Sequence, residues 1–180
     1  PSLTCVRNIS LKALCEKHGM ELLPFAPVEI DGKRVSSSSI REHIRQGEVS
    51  TAAKLLGRSH FVIGTVAPGD QRGRKLGFPT ANLRVSAEKV IPKNGVYITE
   101  TIWQKETYRS VSNIGTRPTF EPTDHITLEV HLLDFNAKLY DETLELRFLE
   151  RIRDEKKFGS IDELKAQISK DVESAKRFVK

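Results

Sequence analysis

The spacing of hydrophobic and polar positions changes twice along this chain, near residues 58 and 159. Before Arg58 the pattern predicts a helix over 9–16, a short buried strand over 20–25, a hairpin over 28–35 and two further helices. Asp31-Gly32 is a strong tight-turn signal for the hairpin. The serines 36–39 are N-cap residues for the first of the two helices, and the second covers 50–56 and closes at Gly57. This order is typical of a piece of an α/β domain that is too short for a complete sheet.

From Ser59 onward the apolar runs are short, and turn-forming residues separate them. The runs predict six strands with no helix among them: Phe61–Val66, Ala81–Val85, Gly95–Ile102, Tyr108–Ile114, Ile126–Leu133 and Leu144–Phe148. Evenly spaced short strands of this kind favour a closed or nearly closed antiparallel barrel. The predicted fold class is therefore mostly β.

The last stretch returns to helical spacing. Ser160 is a candidate N-cap, and Glu163 three residues later completes a capping box. The helix should carry one apolar stripe made of Ile161, Leu164, Ile168 and Val172. We expect this C-terminal helix to pack against the barrel.

Composition and charge narrow the function classes. The 180 residues are 38% hydrophobic and carry a net charge of +5, with no run of five like charges and no basic stripe with interleaved aromatics. A nucleic-acid partner is therefore disfavoured. No apolar run reaches the roughly 18 residues of a membrane helix, so no membrane partner is expected. Cys5 and Cys15 lack a second pair for a zinc site, and they predict unpaired thiols in a reducing cytoplasm. The oligomeric state cannot be predicted.

The segment Arg72–Leu83 (RGRKLGFPTANL) carries the most chemistry. Glycines allow a ligand to approach the backbone, and arginines bind phosphate oxygens. Thr80 and Asn82 are hard oxygen ligands that point the same way from an extended segment. These features favour a site for a magnesium–nucleotide. The alternative is a surface hairpin with a proline turn.

Glu129 and His131 share one face of a predicted strand, and Leu128, Val130 and Leu132 share the other. A carboxylate on a barrel strand could accept a proton from a substrate hydroxyl. The alternative is a solvated outer face.

Three other segments have two interpretations each. Arg151–Phe158 is either a charged connection or the rim of a site for a planar polar ligand. Asn113–Pro118 is a turn or the floor of a pocket. Ser36–Arg41 (SSSSIR) is a helix cap or an anion site.

Taken together, these motifs resemble riboflavin kinases, and most closely the kinase module of the bacterial bifunctional riboflavin kinase/FAD synthetase. The resemblance covers the chain from about Ser59 onward. Six motifs in order carry it: RGRKLGFPTANL, PKNGVY (92–97), VSNIGTRPTF (111–120), LEVHLLDF (128–135), LY (139–140) and RIRDEKKF (151–158).

The resemblance implies a six-stranded antiparallel Greek-key barrel and transfer of the ATP γ-phosphoryl group to riboflavin, giving FMN and ADP. It implies that Glu129 is the catalytic base and that Thr80 and Asn82 hold Mg²⁺. The implied ATP-binding residues are Gly69, Arg74, Thr80, Asn82, Leu132, Asp134 and Tyr140. The implied flavin-binding residues are Arg153, Lys156 and Phe158.

Residues 1–58 resemble the closing part of the same enzyme's FMN adenylyltransferase domain, a nucleotidyltransferase-like α/β segment, so we expect a domain boundary between Arg58 and Ser59. The family usually has SSTRIR where this chain has SSSSIR, and Ser39 stands in place of an arginine. The family's early motif with two histidines around a glycine-rich turn is missing. FAD synthesis is therefore expected only of a longer parent protein. Two rival functions are an idle flavin-binding module and a nucleic-acid-binding barrel.

Overall fold

The computed structural model describes residues 11–69, 72–117 and 125–179. The chain forms two compact units, one up to Val35 and one from Ser36. In the first unit, helix α1 covers residues 11–17. Strands β1 (Glu29–Ile30) and β2 (Lys33–Arg34) form the predicted hairpin. Its turn has positive φ angles at Asp31 and Gly32, 52° and 71°, which is why this pair of residues predicts it.

The predicted strand over residues 20–25 is wrong. These residues form no strand, and Phe25 at its end is 92% exposed. A strand needs a hydrogen-bonded neighbour, and in the described part of this unit the only paired strands are β1 and β2. The two cysteines are predicted to be unpaired thiols: Cys15 is a free thiol, and Cys5 lies outside the described residues.

Two helices open the second unit, as the serine cap and Gly57 predict. Helix α2 spans Ser37–Gln46, and the Ser36 hydroxyl accepts a hydrogen bond from the Ser39 amide at 3.1 Å. Helix α3 spans Val49–Leu56, and Gly57 ends it with a φ of 68°. The side chain of Val49 is fully buried in the barrel core. These helices belong to the same compact unit as the barrel. The domain boundary between residues 58 and 59, where the resemblance to the kinase module begins, stays a prediction.

Six strands form the closed barrel that the sequence predicts, in the order β3-β4-β7-β6-β5-β8. They are β3 (Phe61–Ala67), β4 (Ala81–Val85), β5 (Gly95–Trp103), β6 (Glu106–Arg117), β7 (His125–Leu132) and β8 (Thr143–Arg153). Every neighbouring pair is antiparallel, and β4 returns beside β7 in a Greek key. The prediction of no helix in this stretch is wrong, because helix α4 (Arg72–Leu76) lies between β3 and β4. Its five residues are too few to show an apolar period.

The barrel interior holds the main core, with Tyr97, Leu144, Leu146 and Phe148 fully buried. Four interior hydroxyl residues also lie on β5 and β6. Thr99 bonds Ser110 and Ser112, and Thr101 bonds Ser110, each at 2.8 Å. These bonds satisfy the buried hydroxyls and fix the register of the two strands.

Helix α5 (Ile161–Arg177) packs on the outside of the barrel over a second core of Val96, Ile98, Val111, Leu149 and Ala175. The predicted capping is confirmed, because the Ser160 hydroxyl accepts from the Glu163 amide at 3.2 Å. The predicted stripe is wrong at Ile161, which is 64% exposed because it lies in the first turn, beyond the packed face. In the described residues, no helix is long and apolar enough to span a membrane.

Candidate active site across the barrel strands

The candidate site is organised by one row of directly paired residues that crosses five strands. Asn82 on β4 pairs with Glu129 on β7, and Glu129 pairs with Asn113 on β6. Asn113 pairs with Val96 on β5, and Val96 pairs with Arg153 on β8. Directly paired residues share a face of the sheet. The row therefore connects the predicted metal ligand, the predicted base and the predicted flavin arginine.

A cavity of about 390 Å³ lies at the Asn82 end of this row. Six of the seven predicted ATP-binding residues line it: Gly69, Arg74, Thr80, Asn82, Leu132 and Tyr140. The seventh, Asp134, is exposed in the turn after β7, with a φ of 55°, and does not line the cavity. Sequence reasoning missed Phe135, Asn136 and Lys138, which also line the cavity. These loop residues carry no periodic signal.

Phe135 is held in place by two aromatic rings on β5 and β6. Its ring meets Trp103 and Tyr108 edge-on, with centroids 5.5 and 4.9 Å away. Trp103 Nε1 also donates to Glu142 Oε2 at 2.9 Å, where the loop returns to β8. The cavity wall formed by the loop is therefore anchored to the barrel at both ends.

Two glycines allow the segments before Thr80 and Asn82 to pack closely against these residues. A Cβ built on Gly69 would overlap the Asn82 side chain, and its distance to Asn82 Cγ would be 2.5 Å. A Cβ on Gly73 would overlap the Phe78 carbonyl and lie 3.2 Å from Thr80 Oγ1. Only glycine fits at position 69 without moving Asn82, and only glycine fits at position 73 without moving the Phe78 backbone that leads to Thr80.

A second cavity, of about 280 Å³, lies along the other end of the row. It is lined by the predicted base and all three predicted flavin-binding residues: Glu129, Arg153, Lys156 and Phe158. Thr80 lines both cavities, and its hydroxyl donates to Glu129 Oε2 at 3.5 Å. The two cavities therefore meet at the Thr80–Glu129 contact.

The predicted alternation along β7 is confirmed. Leu128, Val130 and Leu132 are buried, while Glu129 and His131 line the second cavity. Residues from α4, the following segment and α5 cover this outer face, so Glu129 is half-buried rather than fully solvated.

His131 holds the segment that leads into Thr80. Its Nδ1 lies 2.8 Å from the Pro79 carbonyl oxygen, and its ring meets Phe78 edge-on at 5.7 Å. This geometry gives His131 a positioning role, since its ring nitrogen donates to a backbone carbonyl next to the site.

Phe158 forms an aromatic wall flanked by two cations. The guanidinium carbon of Arg153 lies 5.9 Å from the ring centroid, and Lys156 Nζ lies 5.8 Å from it. An aromatic face with adjacent hydrogen-bond donors suits a planar ring that carries carbonyl groups.

Asp171 on α5 is a site residue that the sequence analysis missed. It is 2% exposed, and both its carboxylate oxygens accept from Arg153, with the shortest contact at 2.7 Å from Nη2. Gln167 Nε2 also donates to it at 3.0 Å. The available signal was a carboxylate three residues after Ile168, on the helix face that packs on the barrel.

Arg151 stabilises the backbone that leads into residues 154–158, the segment that carries Lys156 and Phe158. Its Nη2 donates to the Asn94 carbonyl and to Asp154 Oδ1, both at 2.7 Å. The hydrogen bond and charge of Arg151 lower the pKa of Asp154, and Lys93 at 3.6 Å acts in the same direction. Burial raises the pKa of the neighbouring Tyr97 phenol, whose hydroxyl donates to the Lys93 carbonyl.

The donor set beside Glu129 suits a hard divalent cation that also binds phosphate. Thr80 offers a hydroxyl oxygen and Asn82 an amide oxygen, and both line the first cavity, which is called the nucleotide-side cavity below because it holds the predicted ATP-binding residues. Among the described residues, no group of three or more His, Cys, Asp or Glu side chains could form a complete metal cage. Mg²⁺ is commonly held by one or two protein oxygens, with phosphates and water completing its shell.

Comparison with known proteins identifies the family. The family model described as Flavokinase, riboflavin kinase, matches residues 56–179, which include both cavities. This chain belongs to the riboflavin kinase family.

Its relatives are longer proteins. The bifunctional riboflavin kinase/FMN adenylyltransferase of Bacillus subtilis is 37% identical over 178 residues, covering 90% of this chain and 56% of that protein. The protein of that name from Haemophilus influenzae is 42% identical over 150 residues, covering 83% of this chain and 48% of that protein. This riboflavin kinase family member thus spans about half the length of the curated relatives it matches.

The chain also resembles a solved structure over nearly its whole length. A crystal structure described as a macrolide-efflux protein from Streptococcus pneumoniae matches with a TM-score of 0.86 and 36% identity, covering 93% of this chain and 55% of that chain.

Proposed function

We propose that this chain transfers the γ-phosphoryl group of ATP to the terminal ribityl hydroxyl of riboflavin, giving FMN and ADP. The observation that carries the proposal is that two cavities meet at the Thr80–Glu129 contact, one lined by Arg74, Thr80 and Asn82 and the other by the Phe158 ring with Arg153 and Lys156. Phosphoryl transfer requires a donor and an acceptor that meet end to end, and its catalysis is mostly positioning and charge neutralisation.

Each residue has a role in the proposed reaction. Glu129 accepts the proton as the ribityl oxygen attacks the γ-phosphorus, and the bond from that phosphorus to the bridging oxygen of ADP breaks. Arg74 offsets phosphate charge, and Gly69 lets the backbone approach the nucleotide. Leu132 and Tyr140 form part of the wall around the nucleotide, and Asp134 stays a predicted contact. Arg153, Lys156 and Phe158 hold the flavin ring.

Thr80 and Asn82 are the proposed ligands of Mg²⁺. When bound, Mg²⁺ neutralises charge on the phosphate oxygens. The protein's own contribution is to fix the two oxygen ligands at the start of β4, next to Glu129.

A single assay tests the proposed function. The purified chain is incubated with riboflavin, ATP and MgCl₂, and products are separated by chromatography with fluorescence detection. FMN is expected, its formation should stop with EDTA, and FAD is not expected from this chain. Flavin binding without FMN formation would indicate the idle module. Salt-sensitive oligonucleotide binding without flavin binding would indicate the nucleic-acid barrel.

Two further proposals concern the parent protein. The relatives named as bifunctional enzymes suggest that residues 1–58 are the end of an FMN adenylyltransferase domain, and that a longer protein makes FAD from the FMN produced here. We also expect a cytoplasmic location, in keeping with the free thiol of Cys15.

A further inference from the structure

Asn113 lies next to the proposed base, in the middle of the row that crosses the barrel. It is the direct partner of Glu129 on one side and of Val96 on the other. Its side chain is half-buried and lines the flavin-side cavity. The sequence predicts for Asn113 only that the segment 113–118 is a turn or the floor of a pocket, and Asn113 is not among the predicted flavin-binding residues.

Strand spacing locates Asn113 relative to the two ends of the flavin. Neighbouring strands lie about 4.8 Å apart, so Asn113 is one spacing from Glu129, and Arg153 is about three spacings, or roughly 14 Å, from Glu129. The proposed reaction puts the terminal ribityl hydroxyl at Glu129 and the ring at Arg153 and Phe158. The ribityl chain must therefore cross the intervening part of the row, where Asn113 and Val96 lie.

The chemistry of the two crossing positions differs. Val96 is 4% exposed and can offer only apolar contact. Asn113 carries an amide with one acceptor oxygen and a two-proton donor, which matches hydroxyl groups that both donate and accept. In the described part of the chain, the Asn113 amide makes no hydrogen bond to another residue. By contrast, the cavity residues His131 and Arg153 are bonded to Pro79 and Asp171.

We infer that Asn113 is a substrate-positioning residue that hydrogen-bonds the ribityl hydroxyls and so sets the terminal hydroxyl against Glu129. This inference rests on the proposed function. It assigns selectivity for the polyhydroxyl chain to β6, and recognition of the ring to the end of β8 and the segment that follows it.

The test compares two flavins that differ only in the chain. Riboflavin carries the ribityl chain, and lumiflavin carries a methyl group in its place. The Asn113→Ala variant should bind riboflavin about tenfold more weakly, as expected for the loss of one or two hydrogen bonds, and should bind lumiflavin as the wild type does. Binding is measured by quenching of flavin fluorescence. The KM for riboflavin should rise, and the KM for ATP should not change.

Two further variants control for effects of the substitution on the fold. Asn113→Val favours a strand and has no hydrogen-bonding group, so it should show the same selective loss even if alanine loosens β6. Thr107→Ala, at an exposed position on the same strand, should leave both flavin affinities unchanged.

Unchanged riboflavin affinity in both Asn113 variants would overturn the inference. An equal loss of affinity for riboflavin and lumiflavin would overturn it too, because the substitution would then have changed either the contacts to the flavin ring or the fold of the protein. Absence of FMN formation by the wild-type chain would refute the proposed function separately, since the flavin-binding comparison does not depend on turnover.

Discussion

The Thr80 hydroxyl donates a hydrogen bond to Glu129 Oε2 over 3.5 Å, and this contact joins the two cavities of the site. Thr80 precedes β4, and Glu129 lies on the neighbouring strand β7. The proposed metal ligand and the proposed base are therefore positioned by adjacent strands of one rigid barrel. A change at either residue should affect chemistry while leaving the barrel intact.

Glu129→Gln removes the proposed base and keeps the shape of the side chain. The kcat for FMN formation should fall by about 10²- to 10⁴-fold, the range typical of general-base catalysis. The melting temperature and the KM for ATP should stay close to those of the wild type. Glu106→Gln, at the far end of β6, is the matched control. Wild-type-like turnover in Glu129→Gln would eliminate Glu129 as the base.

Thr80→Val removes one proposed metal ligand without changing the size of the side chain. The Mg²⁺ concentration that gives half-maximal rate should rise by about tenfold, which corresponds to about 1.4 kcal/mol of lost interaction. The measurement is a Mg²⁺ titration of the initial rate at saturating riboflavin. Thr143→Val, at an exposed position on β8, should leave the titration unchanged. Identical titrations for Thr80→Val and the wild type would contradict the metal assignment.

Gly69→Ala tests the close approach between the loop after β3 and Asn82. The new Cβ would overlap the Asn82 side chain, which must then leave its position in the nucleotide-side cavity. The KM for ATP should rise by about tenfold, with little change in the KM for riboflavin. In the control Gly159→Ala, the added Cβ meets only Glu163, at 3.6 Å. If steady-state kinetics of Gly69→Ala match those of the wild type, the loop does not constrain Asn82.

Asp171→Ala leaves the Arg153 guanidinium without its buried partner. The free energy of unfolding should fall by about 3 kcal/mol, and riboflavin affinity should fall because the arginine beside Phe158 is no longer held. Urea unfolding and flavin fluorescence measure the two effects. Glu173→Ala on the same helix is the control, since its exposed pairs with Lys176 and Arg177 contribute about 0–1 kcal/mol. Unchanged riboflavin affinity in a folded Asp171→Ala protein would show that the ion pair is purely structural.

His60 should make the stability of the barrel depend on pH. Burial lowers the pKa of His60 below its ordinary value of 6.5, and the charges of Arg58 and Lys89 act in the same direction. Between the two pKa values the unfolded chain binds more protons, so the free energy of unfolding should fall as the pH drops below about 6.5 and level off below the folded-state pKa.

His60→Gln removes the titrating group, and its amide can still donate to the Val90 carbonyl that His60 Nε2 contacts at 2.8 Å. The difference in stability between pH 7.5 and pH 5.5, from urea unfolding, should be smaller in this variant than in the wild type. Equal differences would assign the pH dependence to other groups.

The sequence predicts much of this fold because local signals agree with the packing. The barrel strands are correct because alternation marks one buried face, as in Leu128 to Leu132, and the caps at Ser36 and Ser160 are correct because they follow local hydrogen bonding. The strand over residues 20–25 is wrong because pairing depends on a partner that composition does not reveal.

The sequence predicts which residues belong to the candidate site, because they lie in recognisable motifs, but it does not predict how the fold brings them together. Asn82, Glu129 and Arg153 lie in family motifs, but the row that joins them depends on strand register. The helical spacing places Asp171 on the packed face of α5, but it does not reveal the partner Arg153, which lies 18 positions away on another element. The paired position of Asn113 requires the barrel order, which no local pattern specifies.

Closure of the barrel has a consequence for the nascent chain. Strand β3 pairs with β8, so one edge of the first barrel strand to leave the ribosome has no partner until the last strand has been synthesised. Residues 69–82 of the first cavity emerge early, and Arg153 and Asp171 emerge about 70 to 100 residues later. A ribosome-bound chain that has not yet produced β8 and α5 therefore has no flavin cavity, and the appearance of flavin binding during translation would time the closure of the barrel.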